Sequence, residues 1–523
     1  MKKQSIVLRL LLLLLAAAML TASLAACGGN KKPVDPDAPA DNGTTVDNGG
    51  EEVTTSPYPY PVEKFGTATA PARFQIAARS ERSDYLWVDE KNASTVMDRA
   101  VVARNRYIED QFNVEIILQE CGHSDGTEFI RRLEAEYMGQ LGAWDVVCPA
   151  YWWGTTAQGY YLNLANFEEI DLADDWWIEG YNENAGFAGY QPSILGNAQF
   201  DTFYNLLCIF YNKNIAGNIH LDPYPYIDGT SEDGRKWTLE VVDEFGQLAR
   251  QDPDGNGIST VNDGNGISGV KDANDVIGSL INASMVDPAF AALGLNCARR
   301  NGGMVELNYG DVHNIDIYDK FYDFANNGDK DYNVFLTGSG HSCLYDGSTS
   351  PFENGKVLFL WQAFRVGGRI LQSGVNYGIV PAPMLDDEQE HFITAPYDLT
   401  PFCLMKTTPS PHKSAVVLNA LNAVSWEMLG TPYFDVFLGL RVSKDENSSR
   451  MIPIIRDSIY CDFSFVNFGA LSHNLIGNFS DSLMGAKGAI SPVIQKYEGI
   501  CNDSLNELRE KWVEYRDRDD QDR

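Results

Sequence analysis

Three stretches of this sequence gather side chains able to do chemistry. Tyr151-Trp152-Trp153-Gly154 follows directly on Trp144–Cys148, an apolar run that reads as a buried strand. In open α/β sheets, ligands sit beyond the carboxyl ends of strands. Three consecutive aromatics on one loop cannot all face one core, so Trp152 or Trp153 is expected in a ligand cleft. Trp361 closes a second apolar run, Lys356–Leu360, with Arg365 four residues on. Those two either face a ligand, or are a Trp covering a helix and an ion-paired surface Arg. Arg79 and Ser80 follow the first strand-like run and stand in the same class as the other strand-end residues.

The third stretch is Asp252-Pro253-Asp254-Gly255-Asn256-Gly257-Ile258, continuing to Asp263. Oxygen-bearing side chains fall at positions 1, 3 and 5, glycine at 6, a backbone carbonyl (Ile258) at 7 and a carboxylate at 12, a spacing that curls a chain round a hard cation. A structural calcium ion held by Asp252, Asp254, Asn256, Ile258 and Asp263 is the expectation. Ile258 stands one place early, and Asp263 replaces the longer Glu. The other reading is a polar Asp/Asn/Gly turn without metal.

Enzyme chemistry has little to stand on. The chain lacks GxSxG, HExxH and Walker-type loops, and its seven histidines show no ligand spacing. A glycoside hydrolase would need two carboxylates roughly 5–10 Å apart across a cleft, and no strand-end acid sits in such a context. The expectation is a protein without catalytic residues. Nine cysteines form no CxxC, which leaves a metal cluster or a redox motif unsupported. Cys148, Cys208 and Cys403 lie in apolar runs, where a thiol behaves as a small hydrophobe.

The elements that must position these residues alternate. Strands are expected at Phe74–Ala78, Val114–Leu118, Trp144–Cys148, Leu206–Tyr211, Lys356–Trp361 and Tyr377–Val380. Helices are expected at Val96–Phe112, Thr127–Leu141, Leu239–Gln251, His412–Glu427 and Val493–Tyr515. This alternation predicts parallel strands with crossover helices, an α/β fold, and argues against a repetitive adhesin. With 523 residues, 44% of them hydrophobic, the chain has material for two lobes. The formal charge of −32 excludes nucleic acid as a partner.

The first residues act as an address. Lys2, Lys3 and Arg9 precede an apolar run from Leu10 to Leu20, and small residues lead to Leu24-Ala25-Ala26-Cys27-Gly28. A basic start, a short apolar centre and small residues before a cut describe a signal peptide over 1–26, too short to span a bilayer comfortably. The last five residues resemble the bacterial lipobox, which implies lipidation of Cys27 and anchoring at the extracellular face of the membrane. Residues 27–69, rich in Gly, Pro, Asp, Asn and Thr, read as a flexible tether.

Several blocks then carry a family resemblance. They are Ala100-Val101-Val102-Ala103-Arg104-Asn105 with Gln111-Phe112-Asn113-Val114, Asp145-Val146-Val147 with Leu162-Asn163-Leu164, and Ile209-Phe210-Tyr211-Asn212-Lys213. Lys236-Trp237-Thr238 ahead of Asp252–Gly257, Gly355–Phe359, Tyr377–Pro383 and Tyr433-Phe434-Asp435-Val436 complete the series. In this order, over about residues 72–515, the chain resembles the family-1 extracellular solute-binding lipoproteins of bacterial ABC importers, the carbohydrate-binding type. The resemblance implies a two-lobed periplasmic-binding-protein-like (type II) fold. One lobe would comprise 70–202 plus 397–445, the other 203–396 plus 446–523, with crossings near Phe200–Asn205 and Ala395–Leu399. It implies a carbohydrate ligand, an ABC permease as partner, a monomer, and a role for Trp361 and Arg365 in the second lobe's wall. A similar acidic glycine-rich run is frequent in such proteins at the Asp252 position. Asn205, Tyr397 and Asp398 fall at the implied crossings, where they would either contact ligand or tie down the hinge backbone. Rings against sugar C–H faces and planar polar groups against hydroxyls are the chemistry such a cleft needs.

Overall fold

A computed structural model describes residues 44–46, 52–54, 56–122, 126–262, 267–272, 274–301, 304–326, 330–336, 351–434, 445–471 and 475–521. The chain divides into two units, Met1–Pro59 and Tyr60–Arg523. In the first, Thr44–Val46 pairs antiparallel with Glu52–Thr54 inside the stretch read as tether. Cys27 and the signal sequence lie outside the described residues.

The second unit begins ten residues before the boundary read from sequence. Phe65 N–H donates to the Phe112 carbonyl, and Asn113 Nδ2 donates to the Thr67 carbonyl, so 65–67 is tied to the end of a helix. Nine strands build its two larger sheets: β1 (Ala72–Ala78), β2 (Val114–Glu120), β3 (Val146–Cys148), β4 (Leu207–Asn212), β5 (Ile277–Asn282), β6 (Asn333–Leu336), β7 (Val357–Ala363), β8 (Tyr377–Val380) and β9 (Cys403–Leu404). The first sheet has the order β9-β3-β1-β2, with β1 parallel to both neighbours and β9 antiparallel. The second has the order β6-β5-β7-β4-β8, parallel through β6, β5 and β7 and antiparallel around β4. Every residue of β4, β5, β7 and β8 is buried, as expected of strands covered on both faces.

Local chemistry explains the helices. α1 (Val96–Phe112) starts at a capping box in which Thr95 and Asp98 satisfy each other's backbone N–H, and it ends where Asn113 turns left-handed at φ 51°. Its buried Arg104 meets neutral acceptors: the Tyr85 and Leu86 carbonyls, Asn105 Oδ1 and Ser425 Oγ. Burial lowers that guanidinium's pKa to about 9. α2 (Thr127–Gly139) and α3 (Leu239–Ala249) follow their expected spans to within two residues, and α4 (Pro411–Thr431) packs on α1.

The last helix, α5 (Ser491–Gln521), is 31 residues long and buries one face along its whole length. Its early turns meet the 297–310 region, where Gly310 faces Ile494. Its late turns meet the first sheet's surroundings. Trp512 Nε1 donates to the Thr156 carbonyl, Tyr515 Oη to the Ala157 carbonyl, and the buried Asp519 accepts from Asn163 N–H and pairs with Lys406. This helix reaches roughly 45 Å from one lobe's elements to the other's, whereas the sequence reading gave 446–523 wholly to the second lobe.

Candidate functional site

The chain leaves the first sheet after β3, enters the second at β4, and returns after β8 to β9. These passages pair with each other. Leu206 bridges Pro396 antiparallel, Leu207 N–H donates to the Ala395 carbonyl, and Tyr397 N–H donates to the Asn205 carbonyl. The two passages, at 205–207 and 395–397, thus form one narrow ribbon.

Around that ribbon the carboxyl ends of β1 and β3 deliver their side chains. Arg79, one residue past β1, donates from Nη2 to Asp398 Oδ1 at 2.9 Å and to Thr400 Oγ1. Arg82, on the short turn Ser80–Arg82, donates to Asp398 Oδ2 from Nε at 3.1 Å and Nη2 at 2.7 Å. Two guanidiniums sharing one buried carboxylate is the charge-assisted arrangement that holds geometry most firmly. Arg82 Nη2 also donates to Tyr397 Oη at 3.3 Å, while Arg365, just past β7, lies over the Tyr397 ring with its guanidinium carbon 4.5 Å from the centroid. Tyr397 therefore joins an arginine from each sheet's side.

Asp201 faces the same cluster. It is buried, accepts no side-chain hydrogen bond among the described residues, and stands 3.5 Å from Arg82. Burial raises its pKa to about 7; Arg82 opposes the shift and Asp398 adds to it. The same desolvation acts on Arg82, yet Asp398 and Asp201 together raise its pKa. The Asn205 amide donates weakly to the Asp398 carbonyl at 3.5 Å, which makes it a tie of the ribbon.

The aromatic loop after β3 forms a turn over Tyr151–Trp153. Trp152 and Trp153 cover Arg79, with ring centroids 5.2 and 5.6 Å from its guanidinium carbon. They are not equivalent. Trp153 packs on Phe129 at 5.0 Å and lies so close over Gly126 that a Cβ there would stand 2.5 Å from the indole. Trp152, half-buried like Trp153, sits beside Tyr151 instead. Tyr151 stacks on Phe465 at 5.6 Å with an interplanar angle of 11°, and a Cβ on Gly154 would stand 2.1 Å from the Gly469 carbonyl oxygen. The loop of the first sheet is thus pressed against the 465–469 segment, and backbones approach where both residues lack a Cβ.

Of the expected site residues, Arg79, Trp152, Trp153, Asn205, Arg365, Tyr397 and Asp398 come together. Trp361 does not. β7 continues to Ala363, so Trp361 lies within the strand, fully buried and packed at 6.3 Å on Phe321 and 6.0 Å on Phe324. Its ring faces protein, which corrects the expectation of a cleft position. Arg82, Asp201 and Thr400 were missed, although Arg79 and Arg82 at i and i+3 just past a strand end were a usable signal.

The acidic loop lies apart, between α3 and the strand Thr260–Asn262. Asp252 accepts from the N–H groups of Gly255 and Gly257 at 3.0 and 2.9 Å; Asp254 accepts from Asn256 N at 3.2 Å. Arg250, which grips Asp331 through two bonds of 2.6 Å, stands 3.6 Å from Asp252. Asp275 is buried nearby, its pKa raised by burial and then by Asp272, Asp252 and Asp254 against one arginine. Among the described residues, no group of three or more carboxylate, thiol or imidazole side chains is placed to hold a metal ion. Asp263 lies outside the described residues.

No protein-family model matches the sequence, and comparison with curated proteins finds no match. Among solved structures, the chain is similar to a cyclo/maltodextrin-binding protein complexed with maltotetraose, at 10% identity, with 85% of this chain and 97% of that chain covered and a TM-score of 0.50. It is also similar to UspC of M. tuberculosis, at 13% identity, with 83% and 100% covered and a TM-score of 0.51. At these identities the likeness is one of fold. Two sheets, paired crossings and this likeness give the chain the two-lobed α/β fold of periplasmic-binding-like proteins.

Proposed function

We propose that this chain is the substrate-binding component of an ABC importer, capturing a carbohydrate between its lobes and passing it to a permease. The observation that carries this reading is the cluster at the crossings: Trp152 beside Arg79, and Tyr397 joined by Arg82 and Arg365 from opposite sides. Aromatic faces suit sugar C–H surfaces, and fixed guanidinium, carboxyl and phenol groups suit a rim of hydroxyls. A ligand touching both walls stabilises the closed form over the open one and so drives closure. The maltotetraose bound to the first of the two similar structures supports the choice of a sugar.

In this proposal the protein works as a monomer at the outer face of the membrane, held by lipid on Cys27, and has no catalytic residues. Among the described residues no helix is long and apolar enough to cross a membrane. Calcium belongs to the proposal as a stiffening ion, held by Asp252, Asp254, Asn256 and the Ile258 carbonyl, with Asp263 completing the set. Thermal unfolding against a panel of mono- and oligosaccharides, with calcium or with chelator, tests both parts. A stabilising glycan supports the receptor, and glycan consumed during the scan would point instead to a hydrolase. Stabilisation by a peptide or polyamine alone would replace the sugar.

A further inference from the structure

We propose that Asp287 recognises a protonated amine on the ligand, so that the cleft takes amino sugars in preference to neutral ones. The inference rests on the reading of this chain as a sugar receptor and names the class of sugar. Asp287 is the second residue of the short helix Val286–Ala292, which follows β5 through the turn Ala283–Met285. β5 and β7 run parallel with Ile281 opposite Trp361, so the chain leaves β5 beside the point where β7 delivers Arg365 to Tyr397. The carboxyl ends of parallel strands are where α/β sheets place their ligands.

The aromatic loop of the first sheet approaches the same place. Burial raises the pKa of the Tyr151 phenol, and the charges of Asp287 and then Asp398 add to it, so the phenol lies near both carboxyl groups. Asp287 is half-buried and accepts from Ser480 Oγ, a neutral donor. Among the described residues no basic side chain pairs with it, and the other charge acting on it, Asp481, is negative. The carboxylates at the crossings differ in this respect. Asp398 has Arg79 and Arg82, and Asp201 has Arg82.

The ligand class follows from the missing countercharge. A carboxylate withdrawn from water without a cation is costly, and a ligand that brings the cation relieves that cost. Uronic acids and sugar phosphates would meet Asp287 with like charge. A hydroxyl donates a hydrogen bond but leaves the charge uncompensated. A sugar ammonium supplies the hydrogen bond and the charge together. The formal charge of −32 draws cationic ligands toward the protein in the same sense.

The test is isothermal titration calorimetry of the whole chain at about pH 7, where a sugar amine is largely charged. Glucosamine, galactosamine, mannosamine and the fully deacetylated chitosan trimer are compared with their N-acetylated forms and with glucose, galactose, mannose and cellotriose. Each set differs at one carbon only: amine, acetamide or hydroxyl. The expected result is that the amine form of one set binds the wild type roughly tenfold or more tightly than its two counterparts, as a desolvated charge pair should. In Asp287→Asn the three forms of that set should bind alike. Its unfolding midpoint without ligand shows whether the variant is folded, and the wild-type comparison depends on no variant. Amine and hydroxyl forms bound equally by the wild type would overturn the amine site and leave the receptor reading standing. An amine advantage that persists in folded Asp287→Asn would do the same. Silence of every sugar would overturn this inference together with the receptor reading.

Discussion

Arg79 and Asp398 lie 319 residues apart and meet through a buried hydrogen bond of 2.9 Å. The first belongs to the end of β1 and the second to the returning crossing, so their pairing fixes the hinge ribbon against the first sheet. Arg82 holds the other oxygen of the same carboxylate at 2.7 Å. Trp152 and Tyr397 take their positions from these two guanidiniums.

Removing the shared carboxylate strands two cations. Asp398→Ala is expected to cost about 3–5 kcal/mol of stability, because breaking a buried pair leaves its partner uncompensated. Urea unfolding of the variant measures this. A loss below about 1 kcal/mol, the worth of an exposed pair, would show that the cluster is solvated and not a structural clamp.

Asp201 makes stability depend on pH. Its folded-state pKa of about 7 exceeds the unfolded value, so the folded protein holds a proton that the unfolded chain has released. Stability contributed by the neutral form is therefore full below about pH 4, falls as pH rises toward 7, and levels off above. Asp201→Asn keeps the neutral shape and should remove that slope, with a gain over wild type of roughly 4 kcal/mol at most near pH 8. The groups facing Asp201 are Arg82, Asp398, Arg79, the Cys148 thiol and the Tyr85 and Tyr433 phenols. Parallel stability profiles of the two proteins between pH 4 and 8 would refute the assignment.

The C-terminal helix should behave as a link between the lobes. Trp512→Ala removes an indole packed on Phe187, Phe463 and Tyr190, at an expected cost of about 3–5 kcal/mol. Hydrogen exchange should then quicken at Thr156–Asn163 on the first lobe as well as within the helix. Faster exchange confined to residues 505–521 would mean that the helix serves one lobe alone.

Much of this was legible in the sequence, for identifiable reasons. α1 was read to the residue from its helical period, and the structure's capping box at Thr95 and left-handed turn at Asn113 bound the helix where that period does. The crossings were placed through family resemblance, and Asn205, Tyr397 and Asp398 came with them. Trp361 was misplaced because β7 is buried on both faces and so shows no alternation that would mark its end. α5 was expected as a helix over Val493–Tyr515, and a helical span does not say what its buried face packs against. Arg82 and Asp201 were hidden because partners separated by hundreds of residues leave no local pattern.

The most direct test of the receptor reading compares thermal unfolding of a chain starting near Tyr60 with that of its Trp152→Ala variant, each against a glycan panel. Trp152 is the informative position, since Trp153 also supports the first lobe through Phe129. The account predicts that one glycan raises the wild-type midpoint by several degrees, as ligand binding only the native state must. It predicts that Trp152→Ala keeps its own midpoint but loses most of that rise. A glycan shift undiminished in the variant, or no shift with any glycan, would contradict capture of a sugar at the crossing cluster.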